Sequence, residues 1–178
     1  MQRVAVVGCG GSGKTTLANE LGARLGLPVI HIDSHYWRWV EGKRVEATAE
    51  EWTDRHRYLI ADDAWVIEGM KFGVLDERLD RADTVVYLDL PTSSCISGIM
   101  LRWIRYLGRD HPERGIYTSI NWEFLRWVWS FRRKQRQLLL DKLRNFSGKT
   151  IVLRRRGDVR RFLDTGIRGS ARNTAIRH

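Results

Sequence analysis

The chain has 178 residues, of which 43% are hydrophobic and eight are Trp, enough apolar surface for one ordinary domain and too much for a disordered chain. Cys9 and Cys95 stand far apart in the sequence, which excludes a disulfide framework and a closely spaced metal-binding set. Net charge is +10 and uneven: residues 1–90 carry 11 Lys and Arg against 15 Asp and Glu, residues 91–178 carry 20 against 6. Such a basic half suits a nucleic acid, an acidic membrane surface or a polyphosphate substrate, and charge alone does not choose among them.

The elements follow in order. Val4-Ala5-Val6-Val7 is a short apolar run that ends in glycine, too short for a signal segment or a membrane span, so a cytoplasmic location and no membrane partner are expected. After the glycines, Leu17, Leu21 and Leu25 recur every four residues, which predicts a helix. Pro28 then introduces Val29 to Ile32, a second β-like run; Trp65-Val66-Ile67, Val85 to Leu88 and Thr150 to Leu153 make three more. Fully apolar short strands separated by helical stretches predict a three-layer α/β/α fold around a parallel sheet. Ligands bind such sheets beyond the carboxyl ends of the strands, so the residues that follow the strands are singled out: Gly8, Asp33, Glu68, Asp89 and Arg154. The polar stretch from Thr165 to His178 reads as a flexible tail after a single domain over residues 1–164.

Gly8-Cys9-Gly10-Gly11-Ser12-Gly13-Lys14-Thr15 matches G-x-x-x-x-G-K-[ST] and falls between a predicted strand and a predicted helix, the context its mechanism needs. Glycines allow positive φ and turn backbone N–H groups inward, and the helix N-terminus adds partial positive charge; together with Thr16 these residues are expected to cradle the phosphates of ATP or a similar nucleoside triphosphate. Lys14 is expected to reach the β and γ phosphates, and the Thr15 hydroxyl to serve Mg²⁺. Cys9 reads as a small residue filling a slot in the loop.

With this loop in place, the other landmarks resemble the adenylate-kinase-like P-loop proteins known as topology modulation proteins. The resemblance runs through Leu27-Pro28-Val29-Ile30-His31-Ile32-Asp33, Trp65-Val66-Ile67-Glu68-Gly69, Leu75 to Leu79 with Arg78, Ala82 to Pro91 and Asn121 to Trp129. It implies a nucleoside-monophosphate-kinase-like fold with five parallel strands ordered 2-3-1-4-5, an acceptor-binding insertion, placed here over residues 34–63, and a short lid, placed over 106–120. The chain departs from adenylate kinases at Glu68-Gly69-Met70-Lys71-Phe72, so the resemblance does not carry AMP over as the acceptor.

Asp33 follows the second strand, where kinases for small acceptors often hold an acid that orients the acceptor, although Asp also caps helices well. Glu68 matches the adenylate-kinase acid that holds water on Mg²⁺. Asp89 reads equally as a site acid or a helix cap. His31 and His35 lack a metal constellation and read as packing residues. Arg102, Arg105, Arg109 and Arg114 bracket Gly108 and Gly115, hinge glycines for a lid. A helix is expected near Asn121 to Leu143, with Phe124, Trp127, Val128, Phe131 and Leu138 on its core face and Arg126, Arg132, Arg133 and Arg136 on the other. Arg132 and Arg136 are the expected catalytic pair, neutralising a transferring phosphoryl group; a solvated basic face is the plainer account. The leading expectation is a kinase that moves the γ-phosphate of Mg·ATP to a small acceptor, with an ATP-gated nucleic-acid-binding protein or a slow nucleoside triphosphatase as alternatives.

Overall fold

In a computed structural model the protein is described over residues 1–40, 43–106 and 122–166. Five parallel strands form the central sheet: β1 (Arg3–Gly8), β2 (Val29–His31), β5 (Trp65–Glu68), β6 (Thr84–Leu88) and β7 (Lys149–Leu153). Their order is β2-β5-β1-β6-β7. The numbers depart from 2-3-1-4-5 because an antiparallel hairpin, β3 (Trp37–Val40) with β4 (Lys43–Glu46), intervenes in the chain; the parallel strands counted alone run in the expected order.

Between their end residues the central strands β1, β5 and β6 are apolar because both faces of the sheet are covered. Ala5, Val7, Ile67, Val85 and Tyr87 belong to one buried cluster, while their neighbours Val4, Val6, Val66, Val86 and Leu88 belong to another. Helix α1 (Lys14–Leu25) covers the second face with Leu17, Ala18 and Leu21. The first face is covered by α3 (Ala49–Ile60), α4 (Leu75–Arg81) and α7 (Arg136–Arg144), through Trp52 and Ile60, Leu75 and Leu79, and Leu139 and Leu143. The α1 face expected from the four-residue spacing therefore holds, with Leu17 and Leu21 fully buried and Leu25 packed at the edge.

Three expectations are corrected. The second strand stops at His31 and not at Ile32: the Ser34 hydroxyl donates to the His31 carbonyl at 2.7 Å, and Ile32 opens a five-residue helix, α2 (Ile32–Tyr36). The single helix expected from Asn121 to Leu143 is two helices, α6 (Trp122–Lys134) and α7, that meet at Gln135 (φ −114°, ψ −25°). The break turns Leu138 outward to 49% exposure and brings Leu139 and Leu143 inward. The two helices serve different cores: Val128 and Phe131 of α6 pack with Cys9, Cys95 and Ile99, whereas α7 packs on the sheet. Asp89 caps no helix. Pro91 precedes α5 (Thr92–Arg105) without a side-chain cap.

The acceptor-binding insertion expected over residues 34–63 contains most of α2, the hairpin and α3. Helix α3 starts on a capping box, with the Thr48 N–H donating to Glu51 Oε2 at 2.9 Å and the Glu51 N–H donating to Thr48 Oγ1 at 3.3 Å. Its buried face is Trp52, His56 and Ile60, spaced by four. The lid expected over 106–120 lies, Tyr106 apart, outside the described residues, and Arg109 and Arg114 with it; of the tail expected over 165–178 only Thr165 and Gly166 fall inside, in a π-helical turn (Phe162–Gly166).

Candidate active site

Strand β1 runs at the centre of the sheet and ends at Gly8, and α1 begins only six residues later, so the intervening loop must turn sharply at the carboxyl edge of the sheet. It does so through Gly11 and Gly13, at φ +76° and +95°, a region that side chains with Cβ rarely adopt. A Cβ at Gly11 would also collide with the Cys95 carbonyl of α5, and one at Gly10 would lie 2.7 Å from the Phe124 ring. The loop is thus pressed against α5 and α6, and Gly11, which meets backbone at positive φ, is its least replaceable glycine.

Gly13 caps α1 in the left-handed conformation without a side-chain hydrogen bond, and the first turn carries no acidic residue. The first N–H groups of α1 are therefore left to an anion. The Ser12 hydroxyl is buried within the loop, with no hydrogen-bond partner among the described residues. Lys14 Nζ donates to the Cys9 carbonyl at 2.9 Å, which folds the ammonium group back over the loop.

An open cavity of about 760 Å³ extends from this loop. Gly11, Gly13, Lys14, Thr15 and Thr16 form its floor, His31 one side, and Arg102, Arg105 and Tyr106 at the end of α5 another. Arg156, at the start of α8 (Arg156–Arg161), closes the far side and donates from Nη2 to the Ser94 carbonyl at 3.1 Å. Cationic side chains from three elements thus surround a groove whose floor is a ring of amides, the setting a triphosphate requires.

At the edge of this groove the Thr15 hydroxyl donates to Glu68 Oε1 at 3.1 Å, and His31 Nδ1 lies 3.0 Å from the same oxygen. Glu68 is only 3% exposed. Strand β5 lies beside β1, with Glu68 paired in register with Val6, and this adjacency carries the carboxylate to the first turn of α1. A hydroxyl and a carboxylate in contact are hard oxygen donors of the kind Mg²⁺ takes, and these residues fit that ion. His31, read from the sequence as a packing residue, is instead a partner of Glu68; its place at the end of β2, beside β5 in register with Glu68, was the available signal.

Asp33 stands in the first turn of α2, away from the cavity floor, on the side of the buried Arg78. Sequence reading named Arg78 only as a landmark of the resemblance and gave it no role, although an Arg between Leu75 and Leu79 in an amphipathic segment was a visible anomaly. The two arginines expected as a catalytic pair differ in setting. Arg136 holds Asp89 with two hydrogen bonds, Nε to Oδ1 at 2.8 Å and Nη2 to Oδ2 at 2.7 Å, and Tyr87 donates to Asp89 Oδ1 at 3.1 Å. Arg132 Nη1 donates to the Leu90 carbonyl at 3.4 Å. Arg126 and Arg133 are exposed on α6, so the four arginines grouped on one helical face divide at the α6–α7 break.

Cys9 and Cys95, distant in sequence, pack in one buried cluster beneath the loop. Cys9 is the main influence lowering the Cys95 thiol, and among the positive charges Lys14, Arg156 and Arg132 lower it further. The Arg132 charge thus reaches Cys95, but Arg132 is exposed, Arg136 is held by Asp89, and neither lines the cavity.

No family model matches the sequence, and no curated protein matches it. Among solved structures, a shikimate kinase from Acinetobacter baumannii is similar with a TM-score of 0.56 at 19% identity, covering 94% of this chain and 92% of that one. A deoxyadenosine kinase from M. mycoides has a TM-score of 0.54 at 14% identity, covering 93% and 96%. A sugar kinase from Janibacter sp. has a TM-score of 0.50 at 18% identity, covering 94% and 93%. The chain has the α/β fold of these kinases over nearly its whole length. No described helix is long and apolar enough to cross a membrane.

Proposed function

We propose that the protein transfers the γ-phosphoryl group of Mg·ATP to a small acceptor. The observation that carries this reading is the contact of Thr15 with Glu68 at the rim of a glycine-built, cation-lined groove. It joins a phosphate cradle to a pair of oxygen donors, Thr15 and Glu68, that would hold Mg²⁺, and the ion would supply positive charge to the reacting phosphates.

In this reading Gly8, Cys9, Gly10, Gly11, Ser12 and Gly13 wrap the phosphates, and Thr16 adds its place in the first turn of α1. Lys14 leaves the Cys9 carbonyl for the β and γ oxygens. Arg132 adds positive charge as the phosphoryl group moves, and Arg136 contributes chiefly by holding Asp89 and the start of α7. The acceptor oxygen attacks the γ phosphorus as the bond to the β-bridging oxygen breaks, ADP leaves, and the acceptor's proton passes to Asp33. The insertion of α2, the hairpin and α3 would hold the acceptor. The likeness to kinases of shikimate, a deoxynucleoside and a sugar supports a small polar acceptor, and the topology-modulation resemblance rests on sequence motifs alone.

The test incubates the protein with Mg·ATP and a panel of nucleosides, nucleotides, sugars and hydroxy acids, and reads phosphorylated products by mass spectrometry. Wild type should phosphorylate one class, and Lys14→Ala should abolish both product and nucleotide uptake. A folded wild type that binds ATP and phosphorylates nothing in the panel or in a metabolite extract would sink the kinase reading.

A further inference from the structure

Arg78, on α4, is 0% exposed. Its Nη1 donates to the Gly69 carbonyl at 3.0 Å, while Nε and Nη2 are buried with no hydrogen-bond partner among the described residues. Burial pulls its pKa down to about 10, against the opposing pull of the Glu68 and Asp33 carboxylates. The guanidinium is therefore charged at neutral pH, and its field falls on both acids.

Packing does not account for this residue. A buried guanidinium with unmade hydrogen bonds is costly, and an unbranched apolar side chain would fill the same volume between Leu75 and Leu79 without that cost. What the charge provides is a common anchor. Gly69 directly follows Glu68 and sits at φ +134°. A Cβ there would lie 2.9 Å from Cβ of Ile32, the residue just before Asp33. The Glu68–Gly69 strand end, the Ile32–Asp33 turn and Arg78 are thus one packed unit. It contains the acid of the metal side and the acid of the acceptor side.

We infer that Arg78 is a positioning residue: through its bond to Gly69 and its buried charge it fixes Glu68 relative to Asp33, and so sets the metal side of the site against the acceptor side. This rests on the kinase reading above. Arg78 touches neither nucleotide nor acceptor, and its loss acts through the two carboxylates.

The full-length Arg78→Met and Arg78→Lys variants test it by three measurements: urea unfolding, affinity for ATP with and without Mg²⁺, and turnover where an acceptor has been found. Arg78→Met should shift its urea midpoint little, because relief of the desolvation cost of a buried ion offsets the lost bond to Gly69 and the lost attraction to the two acids. Metal-free ATP affinity should stay within about twofold. The extra affinity conferred by Mg²⁺ should fall about tenfold, as when a partner of a metal ligand is lost, and kcat about a hundredfold, as for displaced reacting groups. Arg78→Lys, which keeps the charge, should recover part of the Mg²⁺ increment, and it decides the matter in the same way if Arg78→Met does not fold.

A stable variant with an unchanged Mg²⁺ increment overturns the proposal, as does a parallel decline of stability and of metal-free binding. The Mg²⁺ increment is readable even in a protein that transfers no phosphoryl group. Absence of turnover in wild type therefore counts against the kinase reading alone, and an unaffected Arg78→Met against the positioning role alone.

Discussion

Arg136 grips Asp89 along one edge of its guanidinium, Nε to Oδ1 at 2.8 Å and Nη2 to Oδ2 at 2.7 Å, and the Asp89 side chain is only 3% exposed. This two-pronged pair ties the first residue of α7 to the end of β6. Arg136→Ala would leave a buried carboxylate with Tyr87 as its remaining side-chain donor. Because the Arg136 side chain keeps 27% exposure, we expect a loss of about 3 kcal/mol, the low end for breaking a buried pair. Urea midpoints of Arg136→Ala, Asp89→Asn and the double variant check this; the double variant should be more stable than the sum of the singles predicts.

His56 is fully buried between Trp52 and Glu77, and both ring nitrogens lack a hydrogen-bond partner. Burial, helped by the Arg78 charge, depresses its pKa from 6.5 to about 4. The unfolded chain then binds the extra proton between those values, so stability rises with pH across that window: it is complete above about pH 6.5 and lost as pH falls toward 4. Between pH 7 and 5 this one group should cost the fold about 2 kcal/mol. Chemical denaturation at the two pH values should show that difference in wild type, and His56→Leu should remove about that much of the slope.

The hydroxyl of Thr15 separates the roles of loop and metal site. Thr15→Val keeps the shape of the side chain and deletes the group that donates to Glu68. Titration calorimetry should find ATP binding without Mg²⁺ nearly unchanged, and the increment due to Mg²⁺ reduced by about 10- to 100-fold. An equal loss with and without the metal would place the hydroxyl on a phosphate instead.

The loop glycines should not be equivalent. Gly13 has positive φ and open space around its missing Cβ, so Gly13→Ala pays for backbone strain alone, about 1–2 kcal/mol. Gly11→Ala adds a collision with the Cys95 carbonyl, which is backbone and cannot swing aside. Thermal or urea unfolding should rank Gly11→Ala as the more damaging, and only Gly11→Ala should disturb the Cys9–Cys95 packing beneath the loop.

Much of this protein was legible in its residues because the relevant physics is local. Consecutive apolar residues specify strands covered on both faces, spacing by four specifies the buried stripe of α1, and glycines before Lys14 specify a turn open to phosphate. Even the loop's closeness to Glu68 was foreshadowed once strands could be counted. Spacing failed where no local signal exists. Nothing at Gln135 resembles a helix breaker, and the chain divides there because α6 and α7 serve different cores.

The partners of charged groups belong to the tertiary structure alone. Glu68 meets His31 across 37 residues, Asp89 meets Arg136 across 47, and Arg78 stands beside acids from two other elements. A single sequence shows the sign and position of each charge, but an ion pair forms only where sheet order and helix packing bring its members together. The residues alone therefore determined the five parallel strands and the glycine loop this chain builds, but not the hairpin of β3 and β4. The packed fold decided which acids, histidines and arginines share the site, because electrostatic contacts depend on distance in space and not on distance along the chain.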